Sequence, residues 1–183
     1  MAESILKGKH ILVVDDEKDV IETIKDILDM ARIDTATDYE GASRKLRDGG
    51  YDLAILDIMG VNGIKLLDEA VEKGIPAVML TAHAITPDVL IQSIRKGAIS
   101  FLPKETLAEL DQLLESLLES FQGGTPPWKL LFEKLGGYFD ERFGPQWKET
   151  DREFWSEFSR TYNIGKGVQA RLAHDPALAG KGI

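Results

Sequence analysis

Five short strand-like runs that alternate with helix-like segments constrain the fold of this chain more than any other feature. The central run, Leu53–Asp57, is apolar without alternation up to its final carboxylate, which is typical of a strand buried on both faces. The other runs begin at His10, Ile33, Ala77 and Ile99. This alternation predicts an α/β fold with a doubly wound parallel sheet. Pro103 cannot donate a ladder hydrogen bond, so we expect the fifth strand at an edge.

The segments between the strands are amphipathic. Apolar residues three and four apart predict helices at 20–31, 39–46, 66–71 and 89–94. Thr86 followed by Pro87 is typical of a helix start. A last helix, at 106–121, carries a leucine stripe only two heptads long, so we expect it to pack on the sheet. Leu113 and Leu118 lie off that stripe and are expected to be available for a protein contact.

Polar residues stand where four of the predicted strands end. They are Asp15, Asp16, Asp57, Thr81 and Lys104. Ligand sites in open α/β sheets lie at the carboxyl ends of the strands, so we expect these side chains to gather at one edge. Each residue alone also has an ordinary explanation. An acid can cap or begin the next helix, a threonine can be structural, and a lysine can be solvated.

Three carboxylates in a small volume require a compensating positive charge. Mg²⁺ prefers oxygen ligands and retains several waters, and Lys104 would add an ammonium. Such a pocket attracts a phosphoryl donor, and a carboxylate can act as the nucleophile that forms an acyl phosphate. Thr81 and Lys104 are then candidates to contact phosphoryl oxygens.

Four stretches of the chain resemble the receiver domain of two-component response regulators. They are ILVVDDE at 11–17, YDLAILDIM at 51–59, VMLTAH at 78–83 and KGAISFLPK at 96–104. The resemblance covers residues 9–121. It implies a flavodoxin-like domain with five strands in the order 2-1-3-4-5.

The resemblance also implies roles for the site residues. Asp57 would accept a phosphoryl group from the phosphohistidine of a histidine kinase. The Mg²⁺ ligands would be Asp15, Asp16, Asp57 and the backbone carbonyl of Met59. Thr81 and Lys104 would contact the phosphoryl group, and Phe101 would be an aromatic switch that fills the void left when Thr81 moves. The alternative for Phe101 is ordinary strand packing.

The chain departs from the family pattern in two places. Gly63 follows Asp57 by six residues, so the intervening loop is shorter than usual. Glu105 follows Lys104 where the family usually has proline.

Two further positions, Met59 and His83, correspond to residues that tune phosphoryl lifetime in the family. His83 would meet the attacking water or be an ordinary surface histidine. Met59 argues against a phosphatase of the halo-acid dehalogenase type, which needs a second aspartate at that position.

Composition divides the chain at a Gly/Pro-rich stretch. Residues 1–122 hold 23 of the 31 acidic residues and are predicted to form the receiver domain. Residues 123–127 are predicted to be a linker. The aromatic residues of 128–183 fit two helical faces and predict an α-helical hairpin too small to stand alone. We expect it to pack on the receiver domain, form a homodimer or bind a partner.

Charge and composition argue against several function classes. The net charge of −9 disfavours non-specific nucleic-acid binding, and the chain has no apolar run long enough to cross a membrane. The lack of cysteine fits a cytoplasmic protein.

The sequence predicts a response regulator that receives phosphoryl groups from a histidine kinase. It would signal through protein–protein interaction with an unidentified downstream protein or through dimerisation. It would not be an enzyme beyond its own Mg²⁺-dependent phosphorylation and dephosphorylation. The alternatives are a DNA-binding transcriptional regulator and a relay intermediate that donates to a histidine phosphotransfer protein.

Overall fold

A computed structural model describes residues 4–81, 86–123, 140–141, 143–144 and 146. Its strands are β1 (His10–Val14), β2 (Arg32–Ala36), β3 (Leu53–Asp57), β4 (Ala77–Thr81) and β5 (Ser100–Pro103). They form one parallel sheet in the order β2-β1-β3-β4-β5. The predicted fold class and strand order are confirmed. β5 lies at an edge, where the missing amide of Pro103 does little harm.

Five α-helices accompany the strands in the described part of the chain. They are α1 (Lys18–Ile27), α2 (Tyr39–Asp48), α3 (Gly63–Glu72), α4 (Pro87–Arg95) and α5 (Leu110–Gly123). Every residue of β3 and β4 is buried, as expected for central strands of a doubly wound sheet. The predicted cap at α4 is present, since the Thr86 side chain accepts a hydrogen bond from the Val89 amide. None of these helices has the length and apolar composition that a membrane span needs.

The last helix differs from its prediction in two respects. Residues Lys104–Glu109 form a 3₁₀-helix, and the α-helix begins only after it. The hydroxyl of Thr106 donates to the carbonyl of Pro103 at 2.6 Å, which stabilises this tighter first turn. Leu113 and Leu118 are buried, so the expectation that they are available to a partner is wrong. The apolar face of α5 is wider than its leucine stripe.

A short N-terminal segment fastens β1 to the helices around it. Leu6 is completely buried in the core. The amide of Gly8 donates to the carbonyl of Met30 just beyond α1, and the hydroxyl of Ser4 donates to Glu115 on α5 at 2.7 Å. No periodic pattern marks Leu6 as a core residue, because it lies outside any helix or strand.

The predicted extension at 128–183 falls almost entirely outside the described residues, as do linker residues 124–127. Within the described part, Asp140 and Glu141 are helical. Phe143 is half-buried against the hydrophobic core. The helical hairpin and its role stay predictions.

Asp38, the N-cap of α2, offers a test of local stability. Its carboxylate accepts a hydrogen bond from the Gly41 amide at 2.7 Å. Asp38→Ala should lower the free energy of unfolding by about 1 kcal/mol, because that amide loses its partner. Asp38→Asn keeps an acceptor oxygen and should change stability little. Urea unfolding measures both variants, and equal stability of the two would contradict this cap.

Candidate functional site

Asp57 lies at the carboxyl end of β3, the central strand of the sheet. Its carboxylate is almost completely enclosed, with the residue only 3% exposed. Helix α3 begins six residues later, and Asn62 occupies its N-cap position. The alternative explanation of Asp57 as a helix cap is therefore wrong. The side chain stands where folds of this type bind ligands.

Asp15 uses its two carboxylate oxygens differently. Oδ1 accepts a hydrogen bond from the Glu17 amide at 2.8 Å, which fixes the side chain. Oδ2 is buried without a hydrogen-bond partner and lies 3.0 Å from Lys104 Nζ. This charge pair leaves Oδ2 without a well-directed hydrogen bond, so the oxygen still has lone pairs to offer a cation.

Lys104 contacts three carboxylates from the start of its 3₁₀-helix. The distances from Nζ are 3.0 Å to Asp15 Oδ2, 3.4 Å to Glu17 Oε1 and 3.6 Å to Asp57 Oδ1. The lysine side chain is 14% exposed, so it is not a freely solvated surface group. The structure thus brings the predicted lysine together with two of the three predicted aspartates.

Burial and neighbouring charges shift the pKa values of this cluster. Desolvation, followed by the charge of Asp15, raises the pKa of Asp57 from 3.8 to about 7, although Lys104 opposes the shift. Desolvation also raises the pKa of Asp15. Burial acts to lower the pKa of Lys104, but the surrounding carboxylates outweigh it and the net shift is upward. One ammonium does not neutralise these acids, so the site attracts a further cation.

A group of side chains that could hold a metal ion is formed by Asp15, Asp16 and Glu17. One ligand oxygen from each lies within 4.8 Å of the others. Asp57 stands outside this group. Lys104 contacts Asp57 as well as two members of the group, Asp15 and Glu17. Gly60 adopts φ +83°, and a Cβ there would collide with the Asp16 carboxylate, so the glycine makes room for it. Hard oxygen donors, among them the buried Asp15 Oδ2, fit a hard divalent cation.

Glu17 is the residue of this cluster that the sequence analysis missed. The family pattern draws attention to the two aspartates before it. A third acid at the start of an amphipathic helix is also explained by the helix dipole alone. Glu17 is shown to belong to the site by its contact with Lys104, which comes from the far end of the domain, and by the short distances between its carboxylate and those of Asp15 and Asp16.

The short loop between β3 and α3 is tightly packed. A Cβ on Gly63 would collide with the carbonyl oxygen of Asp57 and lie 2.9 Å from the Ile58 Cα. The Gly63 amide donates to the Ile58 carbonyl, and Val61 is buried. Met59 is the exposed large apolar residue of this loop, with 67% of its surface accessible. The role of its backbone carbonyl as a metal ligand stays a prediction.

Thr81 and Phe101 are buried in the neighbouring strands β4 and β5. Thr81 is the last residue of β4, and Phe101 pairs with Met79 in the sheet register. Phe101 is the largest of the fully buried side chains in the described part of the chain. This inward position is compatible with core packing and with a switch. His83 lies outside the described residues.

The arrangement suits the transfer of an anionic group to a carboxylate. Asp57 offers a buried nucleophilic oxygen, and Lys104 places a positive charge 3.6 Å from it. Fixed charges aimed at a developing anion are most effective in an enclosed site such as this one.

A family model for the response regulator receiver domain matches residues 11–117. The DNA-binding response regulator MtrA of Mycobacterium tuberculosis is 36% identical over 112 residues, covering 56% of this chain and 49% of MtrA. The transcriptional regulatory protein CpxR of Klebsiella pneumoniae is 34% identical over 98 residues, covering 51% of this chain and 42% of CpxR. The chain thus spans about half the length, or less, of these relatives.

A solved structure shows the same architecture. The response regulator domain of Thermotoga maritima CheB is 26% identical, with a TM-score of 0.53, over 60% of this chain and 93% of that domain. The likeness supports the doubly wound fold derived from the strand order.

Proposed function

The chain belongs to the response regulator receiver family of two-component systems, and from this premise we propose that Asp57 accepts a phosphoryl group from the phosphohistidine of a histidine kinase. The observation that carries the proposal is the position of Asp57. Its carboxylate is buried at the end of the central strand, beside Lys104 and two further acids.

In the proposed step, an Asp57 carboxylate oxygen attacks the phosphorus of the phosphohistidine. The O–P bond forms as the P–N bond breaks, and the imidazole of the kinase leaves and takes up a proton from solvent. Lys104 would stabilise the charge that the phosphoryl oxygens carry during transfer, and Thr81 would donate a hydrogen bond to one of them.

The site also fits Mg²⁺, and its ligands would be Asp15, Asp16, Asp57 and the backbone carbonyl of Met59. The buried Asp15 Oδ2 and the space that Gly60 leaves for the Asp16 carboxylate support this set. When bound, the cation would neutralise phosphoryl and carboxylate charge. Asp15 and Asp16 would orient it, and burial of Asp57 would limit access of water.

Incubation with acetyl phosphate tests the proposed acceptor. Intact-mass spectrometry should show one added phosphoryl group in MgCl₂ and none in EDTA. Reductive trapping with borohydride followed by peptide mapping should place the modification on Asp57. Modification of another carboxylate, or none with Mg²⁺ present, would contradict the proposal.

We further propose that phosphorylation of Asp57 changes the protein surface through movements of Thr81 and Phe101. Both are buried in adjacent strands, so a displacement of Thr81 toward a phosphoryl group would open space beside a large core side chain. The consequence would be a changed surface around α4, β5 and α5. A downstream protein or a second copy of the chain would bind to that surface.

A DNA-binding role is the second candidate. It is favoured by the similarity to MtrA, a DNA-binding response regulator, and to CpxR, a transcriptional regulatory protein. Residues 128–183 would have to supply the contact, and their balanced charge gives it little support. A gel-shift series with the phosphorylated chain at low salt, with light scattering on the same samples, separates the candidates. Retarded DNA would favour the regulator, and a phosphorylation-dependent dimer without DNA binding would favour protein interaction.

A further inference from the structure

Glu17 occupies the N-cap position of α1, but its side chain does not cap the helix. Oε1 instead lies 3.4 Å from Lys104 Nζ. The backbone amide of Glu17 donates to Asp15 Oδ1, so the residue contacts both the lysine and the buried acid of the site. These two contacts give Glu17 a position that helix capping does not explain.

The ammonium of Lys104 stands where a divalent cation has to approach. Nζ is 3.0 Å from Asp15 Oδ2, the buried oxygen that lacks a hydrogen bond. A cation bound to that oxygen would repel an ammonium at this distance, so Lys104 would have to withdraw. Glu17, 62% exposed at the rim of the site, is the acid that the withdrawn lysine can keep as a partner.

We propose that Glu17 is a positioning residue for Lys104. It holds the ammonium at the rim when a divalent cation takes Asp15 Oδ2, and so keeps Lys104 within reach of Asp57. The inference rests on the proposed function, because the cation and the acceptor belong to it. In this arrangement Glu17 acts through the lysine rather than as a metal ligand.

Calorimetric titration of the full chain with MgCl₂ tests this with Glu17→Gln, Lys104→Met and the double variant. Glu17→Gln should weaken Mg²⁺ binding about two- to five-fold, the range for a partly exposed ion pair. In the Lys104→Met background the same change should have less than half that effect on the logarithm of the affinity. Asp19→Asn is the matched control. It removes a charge from the same helix turn, outside the acids around Lys104, and should leave the affinity nearly unchanged.

A second substitution separates contact from charge. Glu17→Asp keeps the negative charge but shortens the side chain by one methylene, so it should weaken binding as Glu17→Gln does. Wild-type affinity for Glu17→Asp would overturn the proposal, because charge alone would then suffice.

An equal or larger effect of Glu17→Gln in the Lys104→Met background would also overturn it, because Glu17 would then act directly on the metal. The effects of Glu17→Gln and Lys104→Met on the logarithm of the Mg²⁺ affinity could instead be additive. If the wild type still binds Mg²⁺ and is phosphorylated on Asp57, that result rejects only the role of Glu17. A wild-type chain that binds no Mg²⁺ rejects this inference together with the proposed metal site.

Discussion

Asp57→Asn is expected to stabilise the protein at pH 8 by up to about 4 kcal/mol while removing its phosphorylation. The pKa of Asp57 is about 7 in the folded protein, against an ordinary value of 3.8. At pH 8 the folded chain therefore has to hold a buried carboxylate that burial and neighbouring acids disfavour. Asparagine has nearly the same shape, carries no charge and cannot form the acyl phosphate.

The pH dependence of this gain has a definite sign. Well below pH 3.8 the carboxyl group is protonated in both states, so the variant and the wild type should be about equally stable. The wild type then loses stability relative to the variant as pH rises through 7, because the unfolded chain ionises Asp57 first. Urea unfolding in EDTA, from about 1 pH unit below the ordinary pKa of 3.8 up to pH 8, measures the difference.

A matched control is Asp29→Asn at an exposed position, which should stay within about 0.5 kcal/mol of the wild type throughout. Added MgCl₂ should shrink the advantage of Asp57→Asn, because the cation favours the charged carboxylate. A pH-independent difference between Asp57→Asn and the wild type would contradict the raised pKa.

Gly63→Ala is expected to lower the free energy of unfolding by about 3 kcal/mol. The new Cβ would collide with the Asp57 carbonyl oxygen and sit 2.8 Å from its carbon. These are backbone atoms of the central strand, which cannot yield as the end of a flexible side chain would. The strand end or the start of α3 must shift, and either shift displaces Asp57.

Gly123→Ala supplies the control for this substitution. Gly123 is also a helical glycine, but a Cβ there meets no atom of the described residues within 4 Å, so stability should change by less than about 0.5 kcal/mol. Phosphorylation by acetyl phosphate gives a second readout and should slow markedly for Gly63→Ala alone. Wild-type stability and phosphorylation of Gly63→Ala would contradict the prediction, because the loop between β3 and α3 would then accommodate the added methyl group without cost.

The sequence predicted the order of elements because both of its periodicities are strong. The apolar run Leu53–Asp57 indicates a strand buried on both faces, and the three-and-four spacing indicates helices. Thr86 with Pro87 also marked a helix start correctly, since capping depends on neighbouring residues alone. Features of this kind depend only on residues close together in the chain, so a sequence pattern is enough to predict them.

The prediction was weaker where burial depends on distant packing. Leu113 and Leu118 were expected to be exposed, but α5 buries them because its contact surface is wider than one stripe. Leu6 joins the core from a segment without any period. Both outcomes depend on which surfaces face each other after the sheet has formed.

The sequence alone determined the sheet, its helices and the edge at which the candidate residues lie. These follow from hydrophobic periodicity and from the shared direction of parallel strands. Only the tertiary structure placed Lys104 against Glu17 and Asp15, and Gly63 against the backbone of Asp57. Such contacts either join residues far apart in the chain or depend on differences of tenths of an ångström. A residue pattern contains no information on distances between atoms, so it cannot predict them.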